Sequence, residues 1–520
     1  MSKDKEINIP DLNKKEVKFI FEKIHSLDDC LEELIRKKLS AHRILTKLSS
    51  WFIEQGFDGI NWQLDYLFED FSCKKGNTKN NFSHQTLQVH GHFLGTVDVY
   101  ASELISNFSE GFIHFLVHEL LEMIDNVLYL KKLSFVKSHI LNKISKDYVT
   151  PVLEKGVSLI IDFLNQLIPN ESLYLIFQDQ SLSQETDIQY LGFIKNKMVY
   201  CRNNINHPAL ENILNSKSKA SILTLDYEEY NQLFKADYSI SKEIHSIVNG
   251  KHLGTLILCL EDKNLNPFLQ DILEILVEGL HDVLTMHIRE KKRLTRHFSI
   301  NCATKMLTDT SYRQKYLEPQ LKNCGILFID VSGFTFLSEQ ILKHPKSIAN
   351  FVEGWSKKAI DILYSYDGVY DKLVGDCVIG IFGPPFFELS DKEVKIKTLK
   401  CAIDIATMTV EYNEDPIIKD YIRTYQQDFK ISVSTGINFA PLFVGQLGPD
   451  KSFTGLSQGM NNTARLQGLA KSNEILFMKS MVDDLIGELK NYQISEPQFT
   501  HVKNVKDPLE YRKISISLDK

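Results

Sequence analysis

Cysteine is scarce in this chain of 520 residues, and each one stands alone: positions 30, 73, 201, 259, 302, 324, 377 and 401 form no Cys-x-x-Cys pair and no dense framework. That excludes a zinc site built on paired cysteines and a disulfide-stapled secreted fold, so reduced, mostly buried thiols are expected. Long apolar runs are missing as well. The most apolar stretches, Phe112–Glu119 and Val157–Asp162, are interrupted by ionisable groups, well short of the roughly 20 residues that cross a bilayer, and no membrane span is expected. The first ten residues are charged and lack the apolar core of a secretory signal, which points to a cytoplasmic protein. Nor is there an excess of positive charge. With 60 Lys and Arg against 67 Asp and Glu, the net charge of −7 gives no electrostatic reason for nucleic acid as a partner. Small anions held through a metal ion stay open.

The remaining composition, 43% apolar and 24% charged, is that of a globular protein. At roughly 100–200 residues per domain, the length suggests about three or four domains. Residues 1–35 carry Val17, Phe19, Ile20, Phe21 and Ile24, then Leu31, Leu34 and Ile35, at near-helical spacing, so an amino-terminal helix is expected there.

Two later segments share one pattern. Thr86–Tyr100 reads as two strands around a turn at His90-Gly91 and precedes a helix from Phe108 to about Leu130. Lys242–Leu260 does the same around Asn249-Gly250 and precedes a helix from about Phe268 to Arg289. Both contain Gly-x-x-Leu-Gly-Thr, from Gly91 to Thr96 and from Gly250 to Thr255, at an offset of 159 residues. This internal repeat implies two related α+β domains in tandem, placed at 36–135 and 145–288. Both resemble the closing hairpin and helix of the GAF family of small-molecule-sensing and dimerising domains. The resemblance implies a small-molecule effector or a purely structural, dimerising role, since no residue identifies a ligand. A connector helix is expected over 268–310, with Ile272, Leu276, Leu280, Val283 and Leu284 available to pair with a second copy or to pack on their own domain.

The chemistry is concentrated further on. An apolar strand, Gly325–Ile329, ends on Asp330 and turns through Gly333 into Phe334 and Thr335. In Lys372–Phe382, two apolar runs flank Gly375-Asp376 and read as a β-hairpin. If that hairpin lies beside the first strand, Asp330 and Asp376 converge, and two carboxylates without His or Cys favour a hard divalent cation, Mg²⁺ or Mn²⁺. Alternation across Phe429–Gly445 reads as a half-buried hairpin. Asn461 and Arg465, four apart, share a helix face on which an amide and a guanidinium suit an oxygen-rich anion.

In this order, Phe-x-Asp-x-x-Gly-Phe-Thr from Phe328 to Thr335, Lys-x-x-Gly-Asp from Lys372 to Asp376, the Gly436–Gly445 hairpin and Asn-x-x-x-Arg from Asn461 to Arg465 resemble the catalytic domain of the class III adenylyl and guanylyl cyclases. The resemblance implies a ferredoxin-like domain over 320–515, an antiparallel sheet with flanking helices. It further implies that Asp330 and Asp376 hold two metal ions per active site. Arg465 would stabilise charge on the α-phosphate and Asn461 would position the ribose, while Gly333, Phe334 and Thr335 would face phosphate oxygens through their backbone. Val502–Tyr511 resembles the family's closing hairpin, in which Lys503 is the phosphate-binding candidate and Lys506 an alternative. Lys372 with Thr454, eleven residues before Arg465, resembles the subgroup that uses ATP and is often stimulated by bicarbonate. The base chemistry agrees: Lys donates to adenine N1, and a hydroxyl accepts from the 6-amino group. The family's active sites form at a head-to-tail interface, so a single complete set implies a homodimer. Ser457 and Asn504 depart from the family's glycines and bear on turnover rate. A catalytically silent scaffold and a guanylate cyclase are the rival readings.

Overall fold

The structure is a computed structural model that describes residues 14–37, 39–65, 70–79, 83–89, 92–103, 105–147, 150–168, 170–179, 187–194, 197–200, 238–246, 250–260, 265, 267–416, 418–420, 429–449, 451–487, 489–490, 492–501 and 508–516. The chain divides into two compact units, one ending at Met286 and one made chiefly of His287–Lys520. Among the described residues, no helix is long and apolar enough to cross a membrane. The seven described cysteines are free.

The amino-terminal unit opens with the helix Lys14–Arg36 and contains two antiparallel sheets. In the first, β1 (Phe57–Asp65), β2 (Asp70–Gly76), β3 (Ser83–Val89) and β4 (His92–Ala101) lie in the order β2-β1-β4-β3. In the second, β5 (Asn170–Asp179), β6 (Asp187–Ile194), β7 (Lys197–Tyr200), β8 (Tyr238–His245) and β9 (His252–Leu260) lie in the order β7-β6-β5-β9-β8. Apart from β7 the two orders coincide. Each sheet is entered from a helix, Ala41–Glu54 or Leu153–Leu167, and left into a long one, Glu110–Asp147 or Pro267–Leu294. The shared Leu-Gly-Thr acquires a physical reason here. Gly95 pairs with Leu64 and Gly254 with Phe177, at equivalent places in the two sheets. A Cβ on Gly95 would lie 2.1 Å from the Gln63 carbonyl oxygen, and one on Gly254 would lie 2.5 Å from that of Ile176. Only glycine admits so close a strand. The turn residues His90, Gly91 and Asn249 lie outside the described residues.

Two helices differ from expectation. The helix expected to stop near Leu130 continues to Asp147 because Val136 and Ile140 keep one face buried. The connector expected as one helix over 268–310 is broken after Leu294. The spacing of Leu294, Phe298, Cys302 and Met306 reads as uninterrupted, and all four are buried. However, the His297 carbonyl accepts from the Tyr370 N–H at 2.8 Å instead of continuing a helical ladder. Ser299 then starts a new helix, Ile300–Met306, by accepting from the Cys302 N–H at 3.3 Å.

The carboxyl-terminal unit is built on β10 (Gln320–Val331), β11 (Gly368–Val374), β12 (Cys377–Phe382), β13 (Val433–Leu447), β14 (Ser452–Leu456), β15 (Glu474–Met478), β16 (Gln498–Thr500) and β17 (Leu509–Ser515). Their order is β11-β12-β10-β13-β15-β17-β16, with β14 on β13. Among the described residues, only the β13–β15 pair is parallel. Leu327, Ile329 and Val331 of β10 share a core with Trp355 and Leu363 of the helix Pro345–Ser365 and Leu399 and Ile405 of the helix Asp391–Tyr412. The alternate residues Cys324 and Ile326 share a second core with Phe298, Met306, Phe453 and Met460, as period-2 alternation requires. The expected hairpin within Phe429–Gly445 is corrected: β13 runs unbroken to Leu447, and the turn follows it. Pro441 is tolerated inside this strand because it pairs with Asn323 alone, between the β15 partners of 435–437 and the β14 partners of 443–447.

Candidate active site

The register of the central strands brings the two candidate metal carboxylates together. β12 pairs with β10 from Gly325↔Phe382 to Ile329↔Val378, so the next positions are Asp330 on one strand and Cys377 after Asp376 on the other. The two-residue connection Gly375-Asp376 is closed by Gly375 at φ +65°, a conformation that suits glycine. The Asp376 Oδ2 accepts from the Val331 N–H at 3.1 Å, which fixes that carboxyl beside the end of β10. Gln467 donates to Asp330 Oδ2 at 3.4 Å and to Ser434 Oγ at 2.9 Å. Burial raises the pKa of Asp330, against the lowering effect of hydrogen bonds with Asp376 and Gln467. Asp376 is raised by burial first and then by Asp330. Two half-buried carboxyls brought together at the ends of paired strands form a donor set that fits a hard divalent cation.

Gly333, at φ +71°, ends the turn after β10 and caps the helical segment that begins at Phe334. The Leu337 N–H returns to the Gly333 carbonyl at 3.0 Å, and Phe334 stacks near Phe351 with ring centroids 6.4 Å apart. Thr335 is exposed on this turn.

A second cluster forms from β11 and β14. Lys372, with its side chain 48% exposed, lies 3.7 Å from the fully buried Asp371 carboxyl. A register shift between Tyr370 and Lys372 places Asp371 at a bulge in β11. The Thr454 hydroxyl lies near enough to Asp371 to favour its charge, yet neither Asp371 oxygen nor Thr454 Oγ1 has a formed hydrogen bond. Burial pushes Asp371 up to about 6 against the pull of Thr454 and Lys372.

The third group lies on the helix Gln458–Leu469. Ser457 takes up the N-cap, with its hydroxyl accepting from the Met460 N–H at 3.2 Å, so the departure from glycine is built into the helix start. The helix lies directly on β13: a Cβ on Gly436 would come within 2.5 Å of the Thr463 carbonyl oxygen. Asn461 is exposed and Arg465 half-buried, with Arg465 Nη1 donating to Asn462 Oδ1 at 3.3 Å. At 3.6 residues per turn, Gln467 projects roughly 120° to 160° away from Asn461 and Arg465. One helix therefore supports Asp330 with one face and presents the amide and guanidinium on another. Lys503, Asn504 and Lys506 lie outside the described residues.

Three groups escaped the sequence reading. Gln467 sits in the same helix as Asn461 and Arg465 but has no spacing signal linking it to Asp330. Asp371 is hidden beside Lys372, where only the bulge reveals its direction. His297, far upstream, donates from Nδ1 to the Tyr370 carbonyl at 2.9 Å, and its ring centroid lies 5.6 Å from that of Phe453. It thus touches Phe453, next to Thr454, and Tyr370, two residues before Lys372.

Comparison with known proteins follows the same boundaries. Residues 317–512 match the family model described as the adenylate and guanylate cyclase catalytic domain. No curated protein matches the chain. Among solved structures, the adenylyl cyclase CyaB from P. aeruginosa is 23% identical, over 39% of this chain and 97% of its own, with a TM-score of 0.34. The guanylyl cyclase Cya2 is 20% identical over 38% and 93%, with a TM-score of 0.33. The guanylate cyclase domain of RhGC from Catenaria anguillulae is 18% identical over 38% and 98%, with a TM-score of 0.31. The family match over residues 317–512 supports a nucleotide cyclase catalytic domain in the carboxyl-terminal unit.

Proposed function

We propose that this protein is an adenylate cyclase that converts ATP to 3′,5′-cyclic AMP and pyrophosphate at the interface of a homodimer. The observation that carries the base choice is the meeting of Lys372 and Thr454, from separate strands, around Asp371. Lys372 donates to adenine N1 and Thr454 accepts from the 6-amino group; the N1 proton of guanine would oppose the lysine. Two Mg²⁺ or Mn²⁺ ions at Asp330 and Asp376 would supply a lowered pKa for the ribose 3′-hydroxyl and charge neutralisation for the polyphosphate. Asn461 positions the ribose. The 3′-hydroxyl gives its proton to solvent as its oxygen bonds to the α-phosphorus, the bond from that phosphorus to the α,β-bridging oxygen breaks and pyrophosphate leaves, and Arg465 donates to the α-phosphate oxygens as charge builds there. The amides of Gly333, Phe334 and Thr335, together with Lys503, face the polyphosphate.

Two features support the dimer. Asn461 and Arg465 point away from the face that reaches Asp330 in their own chain, as groups serving a second copy's metal pair would. Leu321, Phe443 and Leu456 are direct cross-strand neighbours on β10, β13 and β14 and are 68%, 42% and 58% exposed, an apolar row suited to a protein partner. The two upstream sheets, alike in strand order, fit a GAF-like sensory or dimerising role in a cytoplasmic protein. One assay tests the base and activity: purified protein with Mn²⁺ and ATP or GTP, with cyclic products quantified and Asp330→Asn as control. Cyclic AMP from ATP is expected. Cyclic GMP alone would overturn the base assignment, and no product from either would favour a silent scaffold.

A further inference from the structure

Asp371 is 2% exposed and makes no hydrogen bond through either carboxyl oxygen, a costly state for a side chain surrounded by core. The fold does not need it there for sheet pairing, because it is the bulged residue of β11, between Tyr370↔Gly380 and Lys372↔Ile379. Bulges re-aim side chains, often beside active sites. This one brings the carboxyl to Thr454 on β14, a strand whose ladder partner is β13. Thr454 Oγ1 is itself buried without a formed hydrogen bond. Two orphaned polar groups of complementary chemistry therefore adjoin each other at the base-contacting cluster.

We infer that Asp371 is the specificity-determining positioning residue: it holds the hydroxyl proton of Thr454, so that Thr454 can only accept from the purine. The inference rests on the reading of Lys372 and Thr454 as base contacts. A hydroxyl has one proton and two lone pairs. With the proton directed at a carboxylate, the base meets a lone pair. The 6-amino group of adenine donates to it, whereas O6 of guanine would face acceptor against acceptor. Lys372 lies 3.7 Å from the same carboxyl, which holds the ammonium beside Thr454.

The test measures kcat/KM for ATP and for GTP on the full-length protein with Mn²⁺. Asp371→Asn presents an amide donor that turns the Thr454 proton toward the base. The ATP-to-GTP ratio is expected to fall about tenfold or more, mainly through KM for ATP, with a melting temperature at or above that of the parent protein. Asp371→Leu offers no donor and lowers the ratio less. In a Thr454→Val background, Asp371→Asn should leave the ratio within about twofold, since the hydroxyl it acts through is gone. Equal losses for both nucleotides, an unmoved ratio, or a shift undiminished by Thr454→Val would overturn the inference. The parent protein decides the underlying reading separately: if it prefers GTP, the adenylate assignment fails and this inference with it, whereas ATP preference with an unmoved ratio removes this inference alone.

Discussion

Among the described residues, the amino-terminal unit leaves one buried side-chain polar atom without a partner, Asp125 Oδ1, whereas the carboxyl-terminal unit leaves such atoms on Arg293, Ser332, Asp371, Thr435, Thr454 and Asn473. The first unit closes its polar accounts locally: the buried Trp62 indole donates to Ser49 Oγ at 3.0 Å, and that hydroxyl donates to the Leu45 carbonyl at 2.7 Å. In the second unit, Asp371 and Thr454 adjoin without bonding, and Asp330 and Asp376 share a site that neither can ionise in freely. Structure held for its own sake satisfies its polar groups, while a site keeps groups whose partners arrive with the ligand. The contrast teaches where to cut: substitutions in the second unit should remove function, and those in the first should remove stability.

The largest expected effect is that of Asp376→Asn, which should lower cyclic nucleotide formation by roughly 10³-fold or more, because it would remove half of the proposed metal donor set. The same change should abolish the rise in melting temperature produced by Mn²⁺. Activity retained within tenfold would break the comparison at its strongest point. Arg465→Ala should follow, with a loss of roughly 10² to 10³ in kcat and the Mn²⁺-dependent rise intact. A change confined to KM would assign Arg465 to ground-state binding instead.

Asp371 gives a pH-dependent prediction of stability. Its carboxyl is pushed up to about 6 from an ordinary 3.8, chiefly by burial, so between those values the native state holds more proton than the unfolded chain. Its contribution is therefore fully present below about pH 4 and lost as pH rises through 6, amounting to about 3 kcal/mol by linkage. Asp371→Asn should flatten that slope, giving its largest stability gain over the parent protein above pH 7 in paired urea melts at pH 5 and pH 8. In the amino-terminal unit, Gly95→Ala should cost about 1–3 kcal/mol, since its Cβ would meet the Gln63 carbonyl oxygen at 2.1 Å on a backbone at φ +148°. Hydrogen exchange should show loss of protection in β1 and β4 with β10 and β13 unchanged. Equal loss in both units would erase the distinction between them.

Much of the candidate site's geometry was legible in the sequence because its motifs depend on local geometry. Gly375-Asp376 is a two-residue hairpin connection whatever surrounds it, and Asn461 and Arg465 share a helix face by spacing alone. The repeat was legible because Leu-Gly-Thr marks a place where two strands approach too closely for a Cβ. What was hidden depends on tertiary contact. The unbroken β13 looked like a hairpin because Pro441 and Gly445 are turn residues in isolation; only the missing partner on one flank lets the strand continue. The break after Leu294 was hidden by four-residue spacing that persists across it, since the cause is a hydrogen bond from Tyr370. Asp371 and Gln467 act across strands and had no sequence pattern to announce them.

The smallest expected effect concerns Ser457, which stands where the family resemblance expects glycine. Because its hydroxyl caps the helix bearing Asn461 and Arg465, Ser457→Ala should destabilise the carboxyl-terminal unit by about 1 kcal/mol and Ser457→Gly by only a few tenths. Both variants should keep kcat within about twofold, since the helix is also clamped to β13 at Gly436, where the Thr463 carbonyl and the Gln467 amide leave no room for a Cβ. Chemical denaturation followed beside product formation separates the two effects. A tenfold fall in kcat with a stability change under 0.5 kcal/mol would mean that the cap aims Asn461 and Arg465 directly, and that even a helix terminus in this unit belongs to the site and not to the scaffold.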